Sequence, residues 1–412
     1  MAAQLLRLDA ENFRSLRDVS IPLGDLTVLV GPNGVGKSNV LKVFSFLADI
    51  IRTDLQPALE SRGGFDEVAF WGGEKPPTSL KIGLTATWTT NSTVNAPDNY
   101  ELTIRRRAFP GERGQSRRYI LFRQEKFVFK RTRGRGRRIT VSGEQATVTD
   151  TQNDRRTGES NIGISKLSSG LSTLPRLART EGGAEVTSVA RRLSSLRVFD
   201  VDVDAARRPS RAHYGANNQL APDARNLADF LFELSQDGDV WDRLLADARS
   251  VLPQLRAIEF AMSGGSADEI TVILQEKGLR RPTPLADASY GTVRLLGLLA
   301  LLYDPHPAAL TCVEEIDHGL HPQALELLVE RLREASRRSQ FLVATHSPAL
   351  ADRLRPEELI ICERDAEGAS VIPALTRDIM RAARDAGLID APEGTNQSYT
   401  DFVTDLSRLA PE

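Results

Sequence analysis

Gly31-Pro32-Asn33-Gly34-Val35-Gly36-Lys37-Ser38 fits the pattern G-x-x-x-x-G-K-S. Immediately before it, Leu26-Thr27-Val28-Leu29-Val30 reads as a buried apolar strand. Immediately after it, residues 37–51 carry helical apolar spacing. Glycines in such a turn let backbone N–H groups face inward onto phosphate oxygens at a helix start. Lys37 then reaches the β- and γ-phosphates, and the Ser38 hydroxyl serves Mg²⁺. A chance glycine-rich turn would not need a strand on one side and an amphipathic helix on the other.

Three further stretches have chemistry to offer. Leu310-Thr311-Cys312-Val313 is an apolar strand ending in Glu314-Glu315. After a phosphate loop, two carboxylates at a strand end suit two tasks. Glu314 holds Mg²⁺, directly or through water, and Glu315 orients and polarises an attacking water. Taken alone, the same pair is a solvated strand end. Phe341-Leu-Val-Ala-Thr345-His346-Ser347-Pro348 puts a histidine after another apolar strand, where open α/β sheets bind ligands. Ala288-Ser289-Tyr290-Gly291-Thr292 opens an apolar helix at 293–302. It reads either as a second anion site or as a plain N-cap.

The chain around these motifs alternates. Residues 5–9 read as a strand. Residues 79–88, 100–107, 118–130 and 138–148 are rich in β-branched and aromatic residues and are separated by Gly, Pro and Asn, which predicts an antiparallel meander. Residues 150–163 read as a polar loop, 167–196 as weakly helical, and the stretches after Pro222 and from Trp241 as helices. Strands are expected at 258–262 and 269–275. The order strand, helix, strand, helix, strand from 309 to 362 predicts a parallel α/β sheet. The expected division is a discontinuous head from 1–140 and 258–412, with 141–257 as an inserted, mostly helical lobe. The stretch after Gly387 reads as peripheral. There is no internal repeat and no heptad run.

The 412 residues carry 53 Lys plus Arg against 55 Asp plus Glu, a net charge of −2. That near-balance hides an asymmetry. Residues 105–138 hold 14 cations and two acids, so this segment carries +12 and the remainder −14. Such concentration suits a polyanionic partner. Phe109, Tyr119, Phe122, Phe127 and Phe129 lie among the arginines. They read either as base-stacking groups or as the core side of a strand pair. Two cysteines suit a reducing cytosol. No apolar run reaches the roughly 18 residues of a membrane span, and the start lacks a signal-peptide core. A cytoplasmic location is therefore expected, and membrane-spanning, secreted and collagen-like classes are excluded.

Together the motifs resemble the ABC-type ATPase heads of the RecF, OLD and SMC class, and the resemblance covers nearly the whole chain. Asn12-Phe13-Arg14-Ser15-Leu16 resembles the opening strand-turn, and residues 26–39 the Walker A with its trailing Asn39. Residues 289–294 resemble the signature, Glu314-Glu315-Ile-Asp317-His-Gly319-Leu320-His321-Pro322 the Walker B and D-loop, and Thr345-His346-Ser347-Pro348 the switch histidine. The resemblance implies a P-loop NTPase fold with an antiparallel β subdomain, and ATP and Mg²⁺ as ligands. It implies that Asn33, Gly34, Gly36, Lys37, Ser38 and Asn39 hold the nucleotide and that Arg14 approaches its phosphates. It assigns Glu314 to the metal, Glu315 to the base and His346 to the γ-phosphate. Ser289 and Gly291 would reach a second subunit's ATP, with Asp317 in the loop between the two sites. This implies a homodimer with composite sites, acting on DNA in repair, chromosome maintenance or phage defence. The alternative is a nucleotide switch for a protein effector with little turnover. Departures are Tyr290 in the signature and Ile316-Asp317 in place of Pro-Glu. The Q-loop glutamine has no motif around either candidate, Gln56 or Gln124. No acidic nuclease cluster follows the head.

Overall fold

The structure, a computed structural model, describes residues 4–109, 118–130, 136–152, 155–176, 183–212, 219–263 and 268–374. Within these residues one compact unit takes 4–196 and 360–374, and a second takes 197–359.

The first unit is built on an eight-stranded antiparallel sheet. Its strands are β1 (Leu5–Phe13), β2 (Leu16–Pro22), β4 (Ser79–Ala86), β5 (Asp98–Phe109), β6 (Arg118–Phe129), β7 (Gly136–Ser142), β8 (Gln145–Gln152) and β9 (Arg155–Gly163), in the order β2-β1-β4-β5-β6-β7-β8-β9. Period-two alternation explains its two faces. Tyr100, Leu102 and Ile104 of β5 are buried opposite Phe127, Glu125 and Arg123 of β6, while the residues between them face outward. Two details differ from the sequence pattern. The stretch 138–148 is two strands, folded back at Gly143, whose φ of 58° suits a tight turn. Residues 155–163 form β9, paired to β8 through backbone hydrogen bonds. An edge strand bonded on one side needs no apolar stripe, so its polar sequence gave no strand signal. Within 141–257 the helices accordingly begin only at Gly170–Thr173.

The same unit contains β3 (Leu26–Val30), buried at all five positions, which delivers the chain into α1 (Lys37–Thr53). On α1, Val40, Leu41, Val43, Phe44, Leu47, Ala48 and Ile50 fall on the buried side. The helix stops at Asp54, whose φ of 103° breaks the helical path. The Asp54 carboxylate then accepts from Leu55 N at 2.8 Å, Ser169 N at 2.7 Å and Ser172 Oγ at 2.8 Å, tying the end of α1 to the helix Gly170–Thr173.

The second unit is α/β. The strands Arg197–Phe199, Leu310–Glu314 and Gln340–Thr345 are parallel, with Val313 opposite Phe199 and Glu314 opposite Ala344. The helix Tyr290–Leu302 has its last ten residues, 293–302, buried. Each large side chain there contributes about 1.5–3 kcal/mol of burial. The helix Pro322–Ala335 connects the two later strands, as expected for a crossover. A smaller antiparallel sheet joins Ser210–Arg211, Glu269–Glu276 and Leu255–Ser263, flanked by the helices Leu227–Leu234 and Gly238–Val251. Among the described residues no helix is long and apolar enough to cross a membrane.

Candidate nucleotide site

The phosphate loop lies in the first unit and is preformed. Gly36 sits in the left-handed region at φ 103° and forms the N-terminal boundary of α1. A Cβ there would come within 2.0 Å of Ser370 Oγ and 2.5 Å of Ser15 Oγ, so both the backbone angle and the space demand glycine. Gly31 is equally confined: its Cβ would fall 2.2 Å from the Cys362 carbonyl oxygen. No side chain caps α1 and no acid occupies its first turn, so its helix dipole is open to an anion. Lys37 is only 8% exposed, and its ammonium donates to the Gly31 carbonyl at 2.7 Å and the Pro32 carbonyl at 2.8 Å. The lysine thus lies folded back along its own loop. Asn33 and Gly34 are exposed at the tip, Ser38 is half-buried, and Asn39 donates to Ser15 Oγ at 2.8 Å.

Two elements brace this loop. Arg14, in the turn between β1 and β2, has φ 51°, a strained value for a non-glycine residue, and its Nε is buried with no hydrogen-bond partner among the described residues. The hairpin of Glu363–Arg364 and Ser370–Val371 supplies the other brace. Arg364 donates to the Gly34 carbonyl at 3.2 Å, and Ser370 Oγ lies 2.7 Å from Ser15 Oγ. Neither Arg364 nor Ser370 stands in a recognisable motif, and their place against the loop comes from tertiary packing alone. Of the two Q-loop candidates, Gln56 bonds to Glu60 at 2.8 Å and Gln124 is exposed on the outer face of β6.

The acidic residues lie in the second unit. Glu314 ends its strand, and Glu315 turns out of it with φ 47°. The Glu315 N–H donates to the Ala344 carbonyl at 2.9 Å, while the Glu315 carbonyl accepts from Arg294 Nη2 at 2.6 Å. Arg294 is 3% exposed and also points at the Glu314 and Val201 carbonyls, at 3.5 and 3.4 Å. A signature-helix residue therefore fixes the backbone of the acidic pair. The Glu315 carboxylate stands between two imidazoles, with His346 Nδ1 at 3.8 Å and His318 Nδ1 at 3.7 Å. His318 was not among the sequence candidates, because only the fold turns it back toward Glu315. Asp317 accepts from Thr345 Oγ1 at 2.6 Å, which joins the two motif loops.

Ser289 is the N-cap of its helix, bonded to Thr292 N at 3.1 Å and to Thr292 Oγ1 at 2.8 Å. Gly291 has no room for a side chain, since its Cβ would lie 2.9 Å from the Gly319 carbonyl. Tyr290 is 42% exposed, and its ring stacks edge-on against His318 at 5.9 Å. No group of three or more His, Cys, Asp or Glu side chains capable of holding a metal occurs among the described residues.

The basic segment is only partly available to a partner. Arg113, Arg117, Arg131, Arg133 and Arg135 lie outside the described residues. Arg123 is fully buried beside Glu125 at 3.6 Å, and Glu125 also accepts from Tyr100, Ser169 and the Gly170 N–H. Burial lifts the Glu125 carboxyl above its usual range despite these donors. Arg137 pairs with Glu185 at 2.9 Å, and Arg106 pairs with Asp66 between the Phe65 and Tyr119 rings. Phe127 and Phe129 are core residues at 0% and 1% exposure, on the inner face of the sheet, and so cannot stack on bases. Phe109 and Tyr119 remain open at 40% and 52%, and Arg105, Arg107, Lys126 and Arg138 face outward.

A family model described as "AAA domain, putative AbiEii toxin, Type IV TA system" matches residues 26–352. The OLD nuclease of Thermus scotoductus is 46% identical over 57 residues, 14% of this chain and 10% of that protein. The Structural maintenance of chromosomes protein 1 of Schizosaccharomyces pombe is 44% identical over 55 residues, 13% of this chain and 4% of that one. The chain therefore spans a tenth or less of the length of these relatives. Among solved structures, a Pyrococcus furiosus Smc head domain bound to the C-terminal domain of ScpA matches at TM-score 0.49 and 13% identity, over 94% of this chain and all of that one. The SMC head domain from Thermotoga maritima matches at TM-score 0.43 and 16% identity, over 90% and 100%. With the family model covering most of its length, the chain belongs to this AAA-domain family, in the class of ATPases that includes the RecF, OLD and SMC heads.

Proposed function

We propose that the protein binds and hydrolyses Mg-ATP, with Lys37 and Glu315 serving one nucleotide. The observation that carries this reading is the preformed loop at Gly31–Ser38, with Lys37 folded inward and the start of α1 left open. On binding, the Lys37 ammonium exchanges its two carbonyls for β- and γ-phosphate oxygens, and the N–H groups at the start of α1 receive the β-phosphate. Ser38 and Glu314 would hold Mg²⁺, which would supply positive charge against the phosphates. Glu315 orients and polarises the attacking water, and His346 contacts the γ-phosphate. The separation of 3.8 Å between His346 and Glu315 lets one water or phosphate oxygen bridge them.

In this reading Ser289 and Gly291 meet the nucleotide of a second copy, so ATP closes two heads into a homodimer and hydrolysis reopens it. Asp317 lies in the loop that joins the two sites. The closed dimer is the state that binds ATP well, which makes the cycle a population shift driven by ligand. DNA is the proposed polyanionic partner, met by the outward-facing cations of β5, β6 and β7. Release of phosphate from ATP, assayed with no nucleic acid, single strand, duplex and RNA, tests the whole reading. ATP turnover stimulated by one nucleic acid supports it. Binding without turnover in all four conditions favours a nucleotide switch acting on a protein effector.

A further inference from the structure

Trp71 is the most conspicuous unexplained side chain beside the phosphate loop. It is 63% exposed, whereas Trp88 is 5% exposed and Trp241 is half-buried. Burying an indole against its own fold would have been favourable, so an exposed ring in a fixed place calls for a reason. The ring is fixed. Its Nε1–H donates to the Asp66 carbonyl at 3.1 Å, and the Arg14 guanidinium lies 5.7 Å from its centroid. The backbone leading to it is pinned to the β1–β2 turn, with Arg14 N donating to the Val68 carbonyl at 2.9 Å and Phe70 N to the Asn12 carbonyl at 3.0 Å. After it, Gly72 packs so closely that a Cβ would meet Phe70 at 2.4 Å and the Glu367 carbonyl at 2.6 Å.

The same turn touches the loop. Ser15, next to Arg14, accepts from Asn39 of α1 at 2.8 Å, and its hydroxyl fills the space that a Cβ on Gly36 would need. Trp71, Arg14, Ser15 and Gly36 thus form a continuous path from an exposed aromatic ring to the phosphate cradle. Within that path, Arg14 carries a strained backbone and a buried Nε that no acceptor among the described residues satisfies. Strain and an orphan donor in one residue mark a place completed by a ligand.

We propose that Trp71 is the platform on which the purine base of the bound nucleotide stacks, with Arg14 on the phosphate side of it. This rests on the nucleotide-binding reading above. The ring's single hydrogen-bond donor is already used, so it offers only π surface to a ligand. Stacking on such a surface does not distinguish adenine from guanine, because every base has a π face. The platform therefore supplies affinity for a nucleoside and no choice of base.

The test compares wild type, Trp71→Ala and Trp71→Phe as full chains, by calorimetric titration with ATP, GTP and inorganic tripolyphosphate. Loss of base–aromatic stacking weakens binding by about 5- to 150-fold. The expected result is that Trp71→Ala loses that factor for ATP and GTP alike, keeps tripolyphosphate affinity, and is largely rescued by Trp71→Phe. In wild type, nucleotide should also quench tryptophan fluorescence, and Trp71→Phe should abolish the quench. Equal loss for tripolyphosphate and ATP would make Trp71 a support of the cradle and overturn the proposal. Unchanged ATP affinity in Trp71→Ala would also overturn it, with the cradle reading intact. A wild type that binds tripolyphosphate as tightly as ATP would do the same. A wild type that binds none of the three ligands would sink the nucleotide reading itself.

Discussion

The phosphate loop and the acidic strand end solve opposite problems. At the loop, the lysine and the glycines are already engaged: Lys37 is 8% exposed and bonded to two carbonyls, and Gly31 and Gly36 are enclosed by neighbours. At the strand end, the backbone is fixed but the side chains are open. The Glu315 carboxylate is 45% exposed, and its two histidines stand 3.7 and 3.8 Å away, beyond hydrogen-bond length. In the proposed function, this difference means that the binding groups are set in advance while the reacting groups wait. A buried ammonium needs partners at all times, and the Gly31 and Pro32 carbonyls supply them here. A solvated carboxylate needs none, because water satisfies it.

The largest expected effect breaks the acidic half alone. Glu315→Gln keeps the shape but cannot polarise water as a carboxylate does, so turnover should fall by about 10²- to 10⁴-fold while ATP affinity is kept. Phosphate release measured beside a binding titration separates the two quantities. Light scattering should show an ATP-bound dimer accumulating in the variant. Turnover equal to wild type would move the base role to another residue. Lys37→Ala breaks the other half. Removing a charge-assisted donor to two phosphates should weaken ATP binding by about two orders of magnitude. If Lys37→Ala instead bound ATP normally, the folded-back lysine would be structural.

A smaller effect sharpens what holds the acidic backbone. Arg294→Met preserves length and apolar packing but removes the donors to the Glu315, Glu314 and Val201 carbonyls. Leaving buried carbonyls unpaired costs about 1–3 kcal/mol, readable as a lower midpoint of thermal unfolding. If Arg294 sets the φ 47° turn at Glu315, turnover should fall as well, with nucleotide affinity nearly unchanged. A destabilised variant with normal turnover would confine Arg294 to the core.

This comparison also shows what the sequence can carry. The loop, the strand before it and the helix after it were legible because each rests on local rules: glycine dihedrals, an apolar run and helical spacing. The strands Leu310–Glu314 and Gln340–Thr345 were legible as apolar runs for the same reason. Strand β9 was not, because pairing at an edge uses backbone groups that any sequence supplies. Trp71, Arg364 and Ser370 were invisible beside the loop, because their closeness depends on packing across tens to hundreds of residues. The two histidines differ in kind. His346 follows an apolar strand and could be picked out, whereas His318 faces Glu315 only because the chain turns at Glu315 itself. The basic segment was legible as charge, but charge counting does not tell a buried ion pair from an open cation.

That last distinction yields the smallest expected effect, and it repeats the contrast between engaged and open groups within one sheet. Arg105, Arg107, Lys126 and Arg138 face outward on β5, β6 and β7, while Arg106, Arg123 and Arg137 are committed to Asp66, Glu125 and Glu185. Replacing the four open cations by Gln should leave folding and basal turnover intact, because they touch no residue of either nucleotide motif. If the outer face meets DNA phosphates, the slope of log K against log salt should become shallower by about 0.7–0.9 for each phosphate no longer neutralised, for all sequences alike. Fluorescence anisotropy with single-stranded and duplex oligonucleotides at three salt concentrations reads this. Replacing Arg123 by Gln should do the reverse: it leaves Glu125 buried without its cation, which costs about 3–5 kcal/mol of stability, and it leaves the salt slope untouched. Identical slopes in wild type and the four-fold variant would remove the outer face from the DNA reading. A changed slope on Arg123→Gln alone would mean that the arginine buried in this structure reaches solvent when nucleic acid binds.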